Sequence, residues 1–375
     1  MTDRVLFSAD LHEPLIDAPW APGDVEAEIR AIVRDAESAL TADWWPGHPL
    51  DYEEGDPDVW HGIYMGAAGV LWALDFLGSR LDLAGEVLES YRARPEFESP
   101  SAWIGESGIA LVAWRLAPSA ALADRIAELL VVPEDDSLEL MWGSPGLLLI
   151  AEAMFAATGE ERWAAASHTL VEHLLARRDE RGLWTQLLYG KRAEYLGPVH
   201  GWAGVIAALA HHSPVEWAVD VLEATAVREG PHANWPPLAD VPLERNGAIS
   251  TQWCHGAPGI VTSMAALPAD ERLDDLLLAG GELTWAAGPL RKGANLCHGT
   301  AGNGFAFLKL FTRTGDELWL TRARRFAMHA AAQVAAARQQ HGRGRYTLWT
   351  GDLGTAVFLQ QCIAGTSDLP ALDIW

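Results

Sequence analysis

Trp253-Cys254-His255-Gly256-Ala257-Pro258-Gly259 and Leu296-Cys297-His298-Gly299-Thr300-Ala301-Gly302 are two versions of one phrase. Each is a Cys-His-Gly with a second glycine three residues after the first. They hold two of the three cysteines in the chain. Outward from them, the same glycine spacing recurs in Gly66-Ala67-Ala68-Gly69, Gly105-Glu106-Ser107-Gly108, Gly143-Ser144-Pro145-Gly146, Gly201-Trp202-Ala203-Gly204 and Gly351-Asp352-Leu353-Gly354. Every Gly-x-x-Gly opens a short apolar segment, such as Val70 to Leu77, Leu147 to Phe155 or Thr355 to Ile363. A segment apolar all round predicts a helix buried on every side.

Amphipathic segments alternate with the apolar ones. The first runs from Asp24 to Leu40, with Val25, Ile29, Ile32, Val33 and Ala36 on one face. The others span Arg80 to Arg94, Ala120 to Val131, Gly159 to Arg178, Pro214 to Val227, Ala269 to Ala287 and Gly315 to Ala337. That spacing predicts helices with one dry side. Seven such units can close into a ring, apolar helices inside and amphipathic ones outside, which leaves none of the bare ends of an open solenoid. The expected fold is therefore all-α, a double-layered α/α toroid of seven inner and seven outer helices. One domain over residues 1–375 is expected, with residues 1–23 as an extended arm. Glycine would serve the turns through positive φ or through close backbone approach. Glu106 and Asp352, inside their turns, would satisfy helix N-terminal amides.

Composition bounds the function. A formal net charge of −24 repels phosphate backbones, so neither nucleic acid nor an anionic membrane surface is an expected partner. Mean hydropathy is +0.02, and no apolar run is long enough to cross a bilayer. Eighteen Trp point to large buried helix contacts or an aromatic-lined pocket. Three cysteines cannot build a disulfide framework, and residues 1–10 lack a signal-peptide pattern. A cytoplasmic location is the expectation.

If the turns share one rim, Cys254, Cys297 and His298 meet there. Two thiolates and an imidazole fill three tetrahedral positions of Zn²⁺ and leave a fourth open, as catalytic zinc requires. Two buried thiols beside an unrelated His are the plain alternative. His200 precedes its turn glycine and is a candidate acid/base, with Glu139 to orient it. His255 is a candidate for orienting substrate or supporting the site, and Lys292 for pairing with a substrate carboxylate. Cys362 lies in an apolar helix and reads as core.

These motifs, with Val199-His200-Gly201-Trp202-Ala203-Gly204 and Lys292-Gly293-Ala294-Asn295 before Cys297, resemble the lanthionine synthetase C-like family. The resemblance spans nearly the whole chain. It implies the α/α toroid, zinc on Cys254, Cys297 and His298, and His200 as acid/base with Glu139 as its acidic partner. It also implies thioether formation by addition of a thiol to dehydroalanine or dehydrobutyrine. Peptide cyclases of the family carry Tyr where this chain has His255 and Arg where it has Ser250. Those departures, with Lys292, are more similar to the branch associated with glutathione. The expected partners are thus a dehydroamino-acid peptide, glutathione or another small thiol. A thiol-binding module without turnover, and a metal-free carbohydrate enzyme using Glu106, Glu139 or Asp352, are the competing readings.

Overall fold

Among the described residues, fourteen α-helices alternate in character along the chain, as the hydropathy pattern requires. The computed structural model describes residues 6–51, 59–188, 190–212, 216–240 and 247–375. The outer helices are α1 (Pro22–Ala39), α3 (Ala84–Ala93), α5 (Ala120–Leu129), α7 (Glu161–Ala176), α9 (Glu216–Thr225), α11 (Glu271–Ala287) and α13 (Glu317–His341). The inner ones are α2 (Ala67–Phe76), α4 (Glu106–Leu116), α6 (Ser144–Thr158), α8 (Trp202–Leu209), α10 (Ala257–Met264), α12 (Thr300–Thr314) and α14 (Asp352–Ala364). Of the expected amphipathic segment from Pro214, the first two residues lie outside the described residues, as do residues 1–5 of the expected arm.

Each inner helix packs on the next, and α14 packs on α2, so the ring closes. In α1 only Val25, Ile29, Ile32 and Ala36 are buried, the one-sided pattern of an outer helix. In α12 every residue from Thr300 to Leu310 is buried. Among the described residues, no helix is long and apolar enough to cross a membrane.

The inner helices start inside the Gly-x-x-Gly, earlier than the hydropathy suggests. The incoming loop curls back and supplies carbonyls to the first-turn amides, which otherwise lack partners. Ala67 N donates to Trp60 O, Glu106 N to Ser99 O, Trp202 N to Tyr195 O and Thr300 N to Gly293 O, at 2.8–3.0 Å. The carboxylates inside the turns are thus not needed as caps. Glu106 instead binds Arg92 and Arg125, at 2.8 and 2.6 Å, and Asp352 Oδ2 accepts from the loop amide of Arg345.

Of the two reasons considered for the glycines, close approach is the general one. Only Gly256 among these fourteen has φ in the left-handed region, at +106°. The second glycine of every turn lies against the carbonyl oxygen of the residue six positions before it, and an added Cβ would come well under 3.0 Å from that oxygen. On its other side it meets the neighbouring repeat: Gly108 meets Ile63, Gly146 Ala102, Gly204 Leu140, Gly259 Pro198, Gly302 Trp253, Gly354 Leu296 and Gly69 Leu348. The contact therefore runs once round the ring and closes on itself.

Among the described residues, four short strands are additions to the all-α expectation. β1 (Gln186–Leu188) pairs with β2 (Lys191–Ala193), and β3 (Val227–Glu229) with β4 (His232–Asn234), both antiparallel. Each hairpin braces a rim loop. Gln186 accepts from Tyr195 N and donates to Leu138 O, while Asn234 Oδ1 accepts from Ala257 N. From Leu6 to Ala21 the chain crosses the α11–α12 connection, where Glu13 N donates to Pro289 O and Arg291 N to Leu11 O.

Two expectations follow. Gly302→Ala destabilises the protein by about 3 kcal/mol or more, or prevents folding, because its neighbours are backbone and a packed Trp. Gly85→Ala, with open space around it in α3, gains up to about 1 kcal/mol; denaturant unfolding of both variants checks this. Burial raises the Asp352 carboxyl to about 7, against about 3.9 when unfolded. The folded state therefore holds this proton more tightly. The stability it contributes is full below about pH 4 and is lost as pH rises to about 7, on the order of 4 kcal/mol at most. Unfolding curves at pH 4.5 and 7.5 should show wild type losing that increment relative to Asp352→Asn.

Candidate active site

Repeat position explains what the rim brings together. Cys254 and Cys297 stand two residues before the first glycine of their turns, and Tyr64, Trp103 and Trp349 hold the same position in theirs. These residues are linked in series by backbone hydrogen bonds: Cys254 N to Cys297 O, Cys297 N to Trp349 O, Trp349 N to Tyr64 O and Tyr64 N to Trp103 O, at 2.9–3.1 Å. One position later in the repeat stand His200, His255 and His298, in three successive turns.

Beneath the rim the ring is filled by aromatic side chains. Trp103, Trp253 and Trp349 are buried at its centre, with ring centroids 4.4–6.2 Å apart, and Tyr64 stacks on Trp103 and Trp349. Three of the eighteen Trp thus form a floor under the thiols. Trp253 is fixed by its indole N–H, which donates to Thr262 Oγ1 at 2.9 Å.

Cys254 and Cys297 are buried and hydrogen-bonded to each other. That bond holds the Cys297 thiol well below its ordinary value, against burial, and His298 and the Tyr64 hydroxyl add to the effect. The same bond, with burial, pushes Cys254 up, while Lys292 and Gln252 pull it back. The two thiols are thus driven apart, Cys297 downward and Cys254 upward. Tyr64 Oη donates to Cys297 Sγ at 3.0 Å, and burial together with the Cys297 charge raises the Tyr64 phenol well above its usual value. Gln252 Nε2 donates to Cys254 Sγ at 3.1 Å, and Gln252 Oε1 accepts from Lys292 Nζ at 3.2 Å. Lys292 therefore stands exposed at the rim, two hydrogen bonds from the Cys254 sulfur.

The loops carrying the thiols are stiffened from behind. Gln252 and His255 exchange both backbone hydrogen bonds at 3.0 Å, a tight turn that presents Cys254. Asn234 holds Ser250 O and Asn303 holds Thr251 O. Asn295 Oδ1 accepts from His298 N at 2.9 Å.

His200 lies in the repeat adjoining that of Cys254. Its Nδ1 bonds Glu139 Oε2 at 2.8 Å. Glu139 is fully buried, and its carboxylate also accepts from Met141 N, Trp142 N and Ser137 Oγ. A carboxylate this fully satisfied stays put, so it fixes the imidazole's tautomer and direction and leaves Nε2 for chemistry. One step further back, Asp136 caps α6 through Ser144 N and takes a hydrogen bond from His173.

The structure thus brings Cys254 to Cys297, His298 to Cys297, Lys292 to the Cys254 side, and Glu139 to His200. The His255 ring lies beside Gly197, and its backbone role in the Cys254 turn is the definite one. Among the described residues, no three His, Cys, Asp or Glu side chains form a ready-made metal-holding group. Cys362 is fully buried in α14, as expected for core. Tyr64, Gln252 and Ser137 join the site only in the folded structure. Tyr64 carried a signal, its repeat position matching the two cysteines; the other two carried none.

Comparison with known proteins now decides the family. The lanthionine synthetase C-like protein family matches residues 53–374. The chain belongs to the lanthionine synthetase C-like family. Within it, the chain is 30% identical over 166 residues to "Glutathione S-transferase LANCL1" of Danio rerio, covering 41% of this chain and 40% of that protein. It is 28% identical over 169 residues to "LanC-like protein GCL1" of Arabidopsis thaliana, covering 43% and 39%. These matches span about two-fifths of each relative. Nisin cyclase is similar in fold, with a TM-score of 0.62 at 15% identity over 92% of this chain and 95% of that one. The toroid is thus the fold this lanthionine synthetase C-like chain shares with nisin cyclase.

In chelator-treated protein, thiolate absorbance near 240 nm should reveal one thiolate formed below the ordinary thiol pKa of about 8.5, with the other two appearing above it. Tyr64→Phe removes a donor to that thiolate and should move the first step upward.

Proposed function

We propose that this protein forms thioethers by a zinc-dependent addition of a thiol to dehydroalanine or dehydrobutyrine. The support is strongest in one observation: the His200–Glu139 pair at 2.8 Å, in the repeat beside the paired thiols Cys254 and Cys297. Cys254, Cys297 and His298 are the residues that would hold zinc. The donor chemistry fits, since two sulfurs and an imidazole suit zinc over harder cations and the Cys297 thiol is held below its ordinary value by Cys254, His298 and Tyr64. Bound there, zinc supplies the charge that keeps a substrate thiol ionised at neutral pH.

The chain's own residues account for the rest. In the addition, sulfur bonds to the β-carbon of the acceptor, the C=C π bond breaks, and its electron pair moves toward the α-carbon and carbonyl. His200, protonated on Nε2, donates to the α-carbon. It recovers a proton from the incoming thiol, so S–H has added across C=C with nothing left over. Glu139 keeps the ring oriented throughout and stabilises its charged form while the proton is held. The inner-helix N-termini gathered at the rim favour the anionic sulfur and the developing enolate. The Trp floor keeps water from below.

A second reading concerns the thiol. Lys292, exposed at the rim and linked through Gln252 to Cys254, suits a small thiol that carries a carboxylate, such as glutathione. His255 and Ser250, in place of the Tyr and Arg of peptide cyclases, agree with it, as does the printed name of the zebrafish relative. Three unpaired cysteines fit a reducing, cytoplasmic setting.

The test is to incubate zinc-loaded protein with a dehydroalanine peptide, once with an internal Cys and once with glutathione. Cyclisation leaves mass unchanged but removes the alkylatable thiol, whereas glutathione addition raises the mass by one glutathione. His200→Ala should slow either reaction about 10²–10⁴-fold while keeping its zinc, and Cys254→Ala should lose zinc. A protein that binds zinc and thiol but gives neither product is a binding module.

A further inference from the structure

The end of the toroid opposite the thiol rim holds a cavity that the chemistry above does not use. Its volume is about 680 Å³, within the range of small-molecule sites. It lies where the inner helices finish: Phe76 of α2, Arg115 of α4, Ala157 of α6, Ala207 of α8 and Ser263 of α10 all line it. Leu149 and Ala153 add apolar wall, and the last turns of the chain, through Trp375, form one side.

We propose that this cavity is a second binding site, for a small organic cation with an apolar body. Three independent observations carry this. First, the inner helices run from the thiol rim toward this end, and the last turns of five of them, α2, α4, α6, α8 and α10, bring their C-terminal partial negative charges to the cavity. Second, the lining carries uncompensated negative charge. Arg115 is spent on Asp75 Oδ2 at 3.1 Å and on the backbone oxygen of Trp375 at 2.6 Å. Glu152 is bound to His212 and Asp373 to Lys309. The carboxylate of Asp368, exposed at the mouth, has no such partner among the described residues. His211, also exposed on the wall, is the remaining titratable group.

Third, one polar side chain of the lining is unpartnered. Ser263 is almost fully buried, and its Oγ, an acceptor for an ammonium, has no hydrogen-bond partner among the described residues. The Trp375 ring also offers a face of the kind that attracts ammonium groups. Apolar walls, a carboxylate at the mouth, an aromatic face and converging helix C-termini together select an ammonium on a hydrocarbon or aromatic body. They disfavour a carboxylate of the same shape.

The experiment is isothermal titration calorimetry on the full chain at pH 8, where an ordinary imidazole of pKa about 6.5 is neutral. The probes are 4-phenylbutylamine, 4-phenylbutan-1-ol and 4-phenylbutyrate. The amine should bind on the order of tenfold more tightly than the alcohol, and the carboxylate more weakly still. Asp368→Asn should weaken the amine to about the level of the alcohol and leave the alcohol unchanged. Ala153→Trp, which fills the wall, should abolish binding, and Cys254→Ala, at the other end, should not affect it. Equal or tighter binding of the alcohol or carboxylate overturns the proposal. So does an Asp368→Asn variant that binds the amine as wild type does, or undiminished binding to an Ala153→Trp variant that still unfolds cooperatively. If Ala153→Trp does not fold, the Asp368→Asn comparison decides alone.

Discussion

Everything else in this molecule depends on the second glycine of each turn. At that point a helix must pass its own loop carbonyl on one side and a side chain of the neighbouring repeat on the other. A methyl group there would collide with both. The contact occurs in all seven repeats and returns from the seventh to the first, through Gly69 and Leu348. Closure is thus a packing constraint satisfied seven times over, and it removes the bare end an open helical array would expose.

Two consequences follow for chemistry. The tight approach lets equivalent rim residues bond in series through their backbones, which sets Cys254 directly beside Cys297 and brings Tyr64 against the Cys297 sulfur. It also makes all the inner helices parallel. Parallel helices add their dipoles, so one end of the ring favours anions and the other cations. The thiols lie at the first end, where a sulfur anion is stabilised. The same arrangement leaves the second end electronegative, above a cavity whose charged lining is otherwise mostly paired.

Around this scaffold the site is tuned by groups far away in sequence. Tyr64 and Cys297 lie 233 residues apart, and Glu139 reaches His200 across 61. Gln186 and Asn234, each on a hairpin that interrupts the helical pattern, hold the loops that carry His200 and Cys254. The additions to the all-α plan are therefore braces for the rim.

The sequence by itself determined the ring. Period, apolar content and the sevenfold glycine spacing are local properties, and they name inner and outer helices, the shared rim, and Cys254, Cys297, His298 and His200 as rim residues. Glu139 was legible as the partner of His200, whereas Lys292 was legible as a charge near a motif, without its link to Gln252. Tertiary structure alone decided three things. It decided that the glycines serve close approach, since φ and neighbours are invisible in a string of letters. It showed Glu106 and Asp352 bound to neighbours instead of capping helices, because loop carbonyls had already satisfied the amides. And it linked Tyr64 and Gln252 to the thiols, because a hydrogen bond depends on where side chains end, and across a ring that is set by packing and not by spacing.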